Sequence, residues 1–302
     1  MWQRVVKTSQ DWMSKSGTTG NLRAKQGYKI EYFTPAPVVD ASRIETLIAP
    51  FRPKNVGHDL VRIGSKFDGG YLVPNDIDGI AACFSPGVAD DSAFELQLAE
   101  RGISCFMADA SVSAPSVAHP QFDFEKKFLG GKDKGKRITL NSWVSSKFPD
   151  NTKDLILQMD IEGAEYATLA AAPAELLSRF RIMIIEFHGL HRLIHPGFSG
   201  AWLDMTNKLL QSFEVAHIHV NNCCPVLAIE EYELPHVMEF TFLRKDRVKT
   251  SNRKLQFPHP LDAPNLEDRL DIQLPFCWQQ KPYISPVKGA LQLLSKRLPF
   301  IK

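Results

Sequence analysis

The sequence predicts an α/β protein whose core is a mostly parallel sheet covered by helices on both faces. Two observations carry this. From residue 80 onward, short continuously apolar runs alternate with amphipathic stretches of helical spacing, as expected for strands buried on both sides and joined by crossover helices. The 302 residues are 44% hydrophobic and 23% charged, enough to fill one large core with extensions at either end.

Residues 1–40 show no convincing strand. Trp2, Val5, Val6, Trp12 and Met13 fall at helical spacing, and a Gly/Thr-rich patch follows at Gly17 to Gly20. Ser42 is placed to cap a helix running to about Phe51, because its hydroxyl can accept from an early helical amide. Residues 80–85 read as the first core strand and 92–101, closed by Gly102, as the first core helix. Strands are then expected at 103–108, 122–128 and 154–159, a helix at 167–177, and a very apolar strand at 182–187. A helix at 201–213 and strands at 215–220 and 239–243 complete a seven-stranded set. The last two strands have no helix between them, so an antiparallel strand at the sheet edge is expected. Residues 246–286 are rich in Pro and charge with little periodicity. Residues 287–298 return to helix, with Leu291, Leu294 and Leu298 on one face and Lys288, Lys296 and Arg297 supplying charge.

This organisation divides the chain into a helical extension (1–55), a core domain (56–246) and a C-terminal extension (247–302). The formal charge of +2 argues for neither nucleic acid nor membrane by itself, and no nucleic-acid partner is expected. Cys83, Cys105, Cys223, Cys224 and Cys277 have no repeated metal-ligand spacing and suit reduced thiols in a reducing compartment. The N-terminus lacks the apolar run of a secretory signal, and no stretch approaches the roughly 20 apolar residues of a membrane-spanning helix. A cytoplasmic protein is expected. Its basic end, 287–302, is suited to docking on the domain or a second subunit, or to a peripheral contact at the inner face of a membrane.

In a doubly wound sheet, ligands bind beyond the carboxyl ends of the strands, near the point where strand order reverses. After the first strand comes Ser85-Pro86-Gly87-Val88-Ala89-Asp90-Asp91, where Gly87 permits close backbone approach. The loop has one glycine where G-x-G-x-x-G has three, which counts against a pyrophosphate cradle. Asp109 follows the second strand, 22 residues beyond Gly87, the place where an acid can take a ribose diol. The sharpest motif is Asp160-Ile161-Glu162-Gly163-Ala164-Glu165-Tyr166, three carboxylates directly after a buried strand. Asp160 is expected at the strand tip. Glu162 and Glu165 suit either chemistry or a helix N-terminus. Glu186 and His188 share a strand face, as do His217 and His219, which Asn221 and Asn222 follow. Glu239 opens the last strand. Upstream, Asp68 and Tyr71 flank a Gly69-Gly70 turn that can fold over the cleft.

The segments RIGSKFDGGYLVP, CFSPGVADDSAFE, DLILQMDIEGAEY, IIEFH, HIHVNN and MEFTFLRKD together resemble the FkbM-type family of S-adenosylmethionine-dependent methyltransferases, from about Arg62 to Lys245. The resemblance implies a Rossmann-like class I methyltransferase fold and O-methylation of a hydroxyl. By it, the Ser85–Gly87 loop, Asp68 and Tyr71 approach the cofactor, Asp109 takes its ribose, and Asp160 lies near the reactive methyl. A saccharide acceptor, such as a cell-surface polysaccharide, follows from the same resemblance. Trp143, Trp202 and Tyr71 offer aromatic surfaces for a sugar ring.

On this reading His188 is the base that takes the acceptor proton, oriented by Glu186, with Asp160 holding the acceptor. A divalent ion on Asp160, Glu186, His188 or His219 is an alternative way to acidify the hydroxyl. His219, Asn221, Asn222 and Glu239 are candidate acceptor contacts. Two rival classes share parts of the pattern. A nicotinamide-dependent oxidoreductase would use Asp109 in the same way. A non-catalytic, cofactor-binding subunit of a glycan-assembly complex would use the basic C-terminal helix.

Overall fold

The computed structural model describes residues 39–280 together with the backbone of Arg23–Lys25 and Tyr28–Glu31. The helices expected near the N-terminus and over 287–298 lie outside the described residues. Helix α1 (Ala41–Ile48) continues as a 3₁₀ turn, Ala49–Phe51. Its cap is Asp40 rather than Ser42: the Asp40 carboxylate accepts from Arg43 N at 2.8 Å, and the Ser42 hydroxyl itself donates to that carboxylate. Asp40→Ala is expected to cost about 1 kcal/mol, visible as a lower urea midpoint at unchanged slope.

The core then runs β1 (Ala82–Pro86), α2 (Ala93–Ala99), β2 (Ser104–Ala108), β3 (Phe122–Glu125), α3 (Leu140–Lys147), β4 (Leu155–Met159), α4 (Glu165–Ala171), α5 (Ala174–Leu177), β5 (Phe180–His188), α6 (Pro196–Ser212), β6 (Phe213–Val220) and β7 (Val237–Arg244). These seven strands form one sheet in the order β6-β7-β5-β4-β1-β2-β3. The predicted mostly parallel, seven-stranded sheet is present. One detail is corrected: the reversed strand is not at the edge. β7 is inserted between β5 and β6, antiparallel to both, and it is buried along its whole length apart from Arg244. Strand order reverses between β1 and β4, which are paired in parallel.

Local chemistry accounts for the remaining differences. The single helix expected over 167–177 is two, because Pro173 lacks an amide hydrogen and starts α5 afresh. The strand expected over 122–128 stops at Glu125, and Phe128–Leu129 pairs instead with Arg137–Ile138. Short strands occur where none was expected: Arg23–Lys25 pairs with Tyr28–Glu31, which runs beside Val226–Ile229, itself paired with Tyr232–Pro235. They are too short to show periodicity, and one partner lies almost 200 residues away.

Side chains alternate between two cores. Phe84, Leu157, Met183, Ile185 and Phe187 point to the side of α1, α3, α4 and α6, where Phe51 packs on Trp202 and Phe240 at centroid separations of 4.5 and 5.4 Å. Cys83, Ile156, Ile182 and Ile184 point to the other side, which is covered by α2 and by the antiparallel hairpin Leu60–Gly64 and Gly70–Pro74. By the two-residue period of strands, Ser85, Gln158, Glu186, His188, Glu239 and Thr241 belong to this second face. At the carboxyl ends of the strands it is thus a hairpin, not a helix, that roofs the polar groups.

Candidate active site

The loops after β1 and β4 are in backbone contact. Gly87 has φ +89°, and a Cβ there would collide with the carbonyl oxygen of Asp160. The amide of Asp160 donates to Pro86 O at 3.3 Å and that of Gly87 to Ala108 O at 3.0 Å. The glycine is therefore needed by the β4 loop, a demand independent of any ligand. Asp109, 5% exposed, accepts from Ala89 N at 3.0 Å and Ser111 N at 2.7 Å, so it joins the loops after β1 and β2. Each of its oxygens keeps a second lone pair that can accept a further hydrogen bond.

Beneath these loops lies a buried polar chain. The Ser85 hydroxyl bonds Glu95 and, at 2.7 Å, Gln158 Oε1, while Gln158 Nε2 donates to the Tyr71 hydroxyl at 3.0 Å. Burial pushes the Glu95 carboxyl up to about 7. Ser85 is fully buried, so its hydroxyl serves this chain rather than reaching a cofactor. Tyr71 is 4% exposed and stacks edge-on with Phe94 at 5.6 Å.

The turn after β4 folds around one carboxylate. Glu165, the first residue of α4, is wholly buried. Its Oε1 accepts from Ile161 N at 3.2 Å and Gly163 N at 3.0 Å, and the same oxygen hydrogen-bonds His188 Nδ1 at 3.1 Å. The backbone bends through positive φ at Glu162 (56°) and Gly163 (97°). A left-handed glutamate costs about 1–2 kcal/mol, and the bonds to Glu165 hold it there. This corrects the sequence reading of His188. Its hydrogen-bonded partner is Glu165, whereas Glu186 Oε1 stands 3.8 Å from Nε2, too far for a hydrogen bond. The earlier expectation rested on a shared strand face, which brings Glu186 near without aligning it.

Nε2 of His188 also stands 3.7 Å from Asp160 Oδ1 and 3.6 Å from Glu162 Oε2. Burial alone would lower the His188 pKa, but the bond to Glu165 and the surrounding carboxylates outweigh it and raise it well above the ordinary value. Burial lifts Asp160 to about 7, moderated by His188 and reinforced by Glu162 and Glu165. Asp160 Oδ1 and Glu186 Oε2 are buried without a hydrogen-bond partner. Burial likewise raises the Glu186 pKa well above the ordinary carboxylate value, and a group that brings positive charge, such as a sulfonium or ammonium, would offset that cost and favour the carboxylates.

The four suggested metal ligands do not converge on one point. The compact sets are Asp160 with Glu165 and His188, and Asp68 with Glu186 and Glu239. His219 is turned aside, between Glu239 at 3.6 Å and Asp271 at 3.3 Å. Burial opposes its charge, yet these two acids raise its pKa to about 10, so it is an imidazolium and a poor ligand. Asn221 donates to Glu186 Oε1 at 3.0 Å. Asn222 is spent on backbone: its Nδ2 donates to the carbonyls of Leu266, Arg269 and Leu270, and its Oδ1 accepts from Leu266 N. Trp143 and Trp202 are fully buried and Tyr71 nearly so, so none of the three offers a face for a sugar ring.

Several site residues were missed in the sequence. Asp262, Asn265 and Asp271 come from the aperiodic 246–286 segment. Asp262 bonds His217 at 2.8 Å, and Asn265 donates to Glu239 at 2.6 Å and Asp68 at 3.1 Å. Nothing in their local pattern marks them. Glu165 was visible, and an acid four residues from a turn that must satisfy its own amides was the available signal.

Residues 87–214 match the family described as Methyltransferase FkbM domain, and this supports a methyltransferase. Among solved structures, the crystal structure of spermidine synthase from Thermotoga maritima aligns over 80% of this chain and 81% of its own, at 8% identity and a TM-score of 0.31, a likeness that carries no argument. No curated protein matches the chain.

Proposed function

Starting from an FkbM methyltransferase domain over residues 87–214, we propose that this chain is an S-adenosylmethionine-dependent O-methyltransferase acting on a hydroxyl of a saccharide. The carrying observation is His188, held through Nδ1 by buried Glu165 while Nε2 faces Asp160, Glu162 and Glu186 without hydrogen-bonding any of them. S-adenosylmethionine, when bound, supplies an electrophilic methyl on a cationic sulfur. Gly87, Asp109, Asp160 and Asp68 would hold it. Asp109 is placed for the ribose, and the bare oxygen of Asp160 for the positive end.

His188 takes the acceptor proton at Nε2. Glu165 and its neighbours favour the protonated imidazole and raise its pKa, so it acts as a base only once that proton has left. A cation entering this acidic cleft disfavours the imidazolium, so binding of the methyl donor itself helps to free Nε2. Positioning supplies much of the remaining rate. The saccharide acceptor rests on family resemblance, since the aromatic side chains once considered for it are in the core. Among the described residues, no helix is long and apolar enough to cross a membrane. A cytoplasmic site of action belongs to the same reading, as do docking contacts through residues 287–302.

Calorimetric titration with S-adenosylmethionine and, separately, NAD tests the cofactor. Micromolar binding of the methyl donor and none of NAD is expected, about −8 kcal/mol. Binding of NAD alone would overturn the proposal in favour of an oxidoreductase. Binding of neither would turn attention to a partner-dependent subunit.

A further inference from the structure

Glu186 and Glu239 are direct cross-strand partners in the antiparallel β5–β7 pair. Both are buried, at 4% and 6% exposure. Like charges directly opposite one another destabilise a strand pair, and the imidazoles beside them, His219 Nδ1 at 3.6 Å from Glu239 and His188 Nε2 at 3.8 Å from Glu186, stand beyond hydrogen-bonding distance. The hairpin adds a third carboxylate, Asp68, so that one oxygen from each of the three lies within 4.8 Å of the others. Among the described residues no lysine or arginine pairs with any of them: the Arg62 guanidinium is taken up by the carbonyls of Ser65, Lys66 and Phe67.

The side chains that hydrogen-bond the trio are neutral amides, with the His219 ring farther off at 3.6 Å from Glu239. Asn265 Nδ2 donates to Asp68 Oδ1 at 3.1 Å and to Glu239 Oε1 at 2.6 Å, and Asn221 Nδ2 donates to Glu186 Oε1 at 3.0 Å. Each carboxylate thus has one oxygen steered from outside, as outer-shell partners steer metal ligands. Glu186 Oε2 is buried and makes no hydrogen bond. Asp68 is exposed, giving an ion a way in.

We propose that Asp68, Glu186 and Glu239 bind a divalent cation of the oxygen-preferring class, Mg²⁺, Mn²⁺ or Ca²⁺. Three carboxylates without sulfur or neutral imidazole favour these ions over zinc or copper. The site shares only Glu186 with the four-residue set suggested by sequence: Asp68 and Glu239 stand in place of Asp160, His188 and His219, and both histidines lie against carboxylates. It rests on the proposed function only in its consequence: an ion here would lie beside the acceptor cleft and could acidify a bound hydroxyl.

The test is titration of the cofactor-free protein with Mn²⁺ alone, followed by electron paramagnetic resonance. One ion per chain is expected, displaced by Mg²⁺ or Ca²⁺. Affinity should fall by about tenfold or more in Glu239→Gln and in Asp68→Asn, and change little in Glu165→Gln. Asp68 is at the surface, so Asp68→Asn stays folded even if Glu239→Gln does not, and its affinity alone then decides. Absence of saturable Mn²⁺ binding, or binding that survives both substitutions, overturns the proposal. So does binding lost in Glu165→Gln instead, which would put the ion on the His188 set. No methyl donor is present, so failure of the methyltransferase reading would not disturb this result.

Discussion

His188→Ala is expected to retain S-adenosylmethionine binding and to lose turnover by about 10²–10⁴-fold, the usual contribution of a positioned base. The same assignment fixes a pH dependence. A base must be unprotonated to act, and the His188 pKa is raised: burial opposes the charge, but the Glu165 bond and the acids around Nε2 prevail. The kcat/KM of wild-type protein should therefore climb with pH through an inflection above the ordinary histidine value of about 6.5. Glu165→Gln removes the bonded negative charge, so its inflection should move down. It should also loosen the 160–165 turn, because the amides of Ile161 and Gly163 share that carboxylate. For stability the sign is opposite. The raised pKa contributes stability that is fully present below the unfolded-state pKa and is lost as pH rises through the folded-state value. Near-wild-type turnover in His188→Ala would remove the assignment. Asp160, lifted by burial to about 7, would then be the base to examine.

Gly87→Ala is expected to destabilise the fold by about 3 kcal/mol or more, through two separable causes. A non-glycine residue at φ +89° is strained by about 1–3 kcal/mol. The new Cβ would also run into the Asp160 carbonyl, and because that contact is backbone to backbone, no side chain can turn away to relieve it. Gly102→Ala separates the causes. Gly102 has φ +82° but nothing within 4 Å of a Cβ, so it should show the backbone strain alone. Urea denaturation of both variants gives the difference as a shift in midpoint. The Gly87 variant should also lose activity beyond its loss of fold, because relief of the clash moves Asp160. Equal destabilisation of the two variants would mean that the β1 and β4 loops are not in register as described.

Much of the fold was legible because burial on both faces writes itself into a strand. Leu155–Met159 and Phe180–His188 are buried at every position but His188 and mostly apolar, and alternation of the two cores accounts for each of them. The tip positions of Asp160, His188 and His219 followed from where those runs end. What failed was short or non-local. Ser42 and Asp40 are equally good capping residues by type, and only the geometry of the entering chain chose Asp40. Pro173 marked a break that the longer apolar period concealed.

The sequence by itself determined the sheet, the family-like motifs and the strand ends at which chemistry can occur, because each is a local pattern of period, composition or spacing. The tertiary structure alone decided which charges meet. Glu165 rather than Glu186 holds His188, because a hydrogen bond depends on distances of tenths of an ångström that a shared strand face does not specify. Insertion of β7 beside β5 set Glu239 opposite Glu186. The hairpin before β1 and the aperiodic segment after β7 closed Asp68 and Asn265 over that pair, from 197 residues apart in the chain. Contacts over such a distance leave no local trace, since nothing about either segment alone depends on the other until the sheet has formed between them.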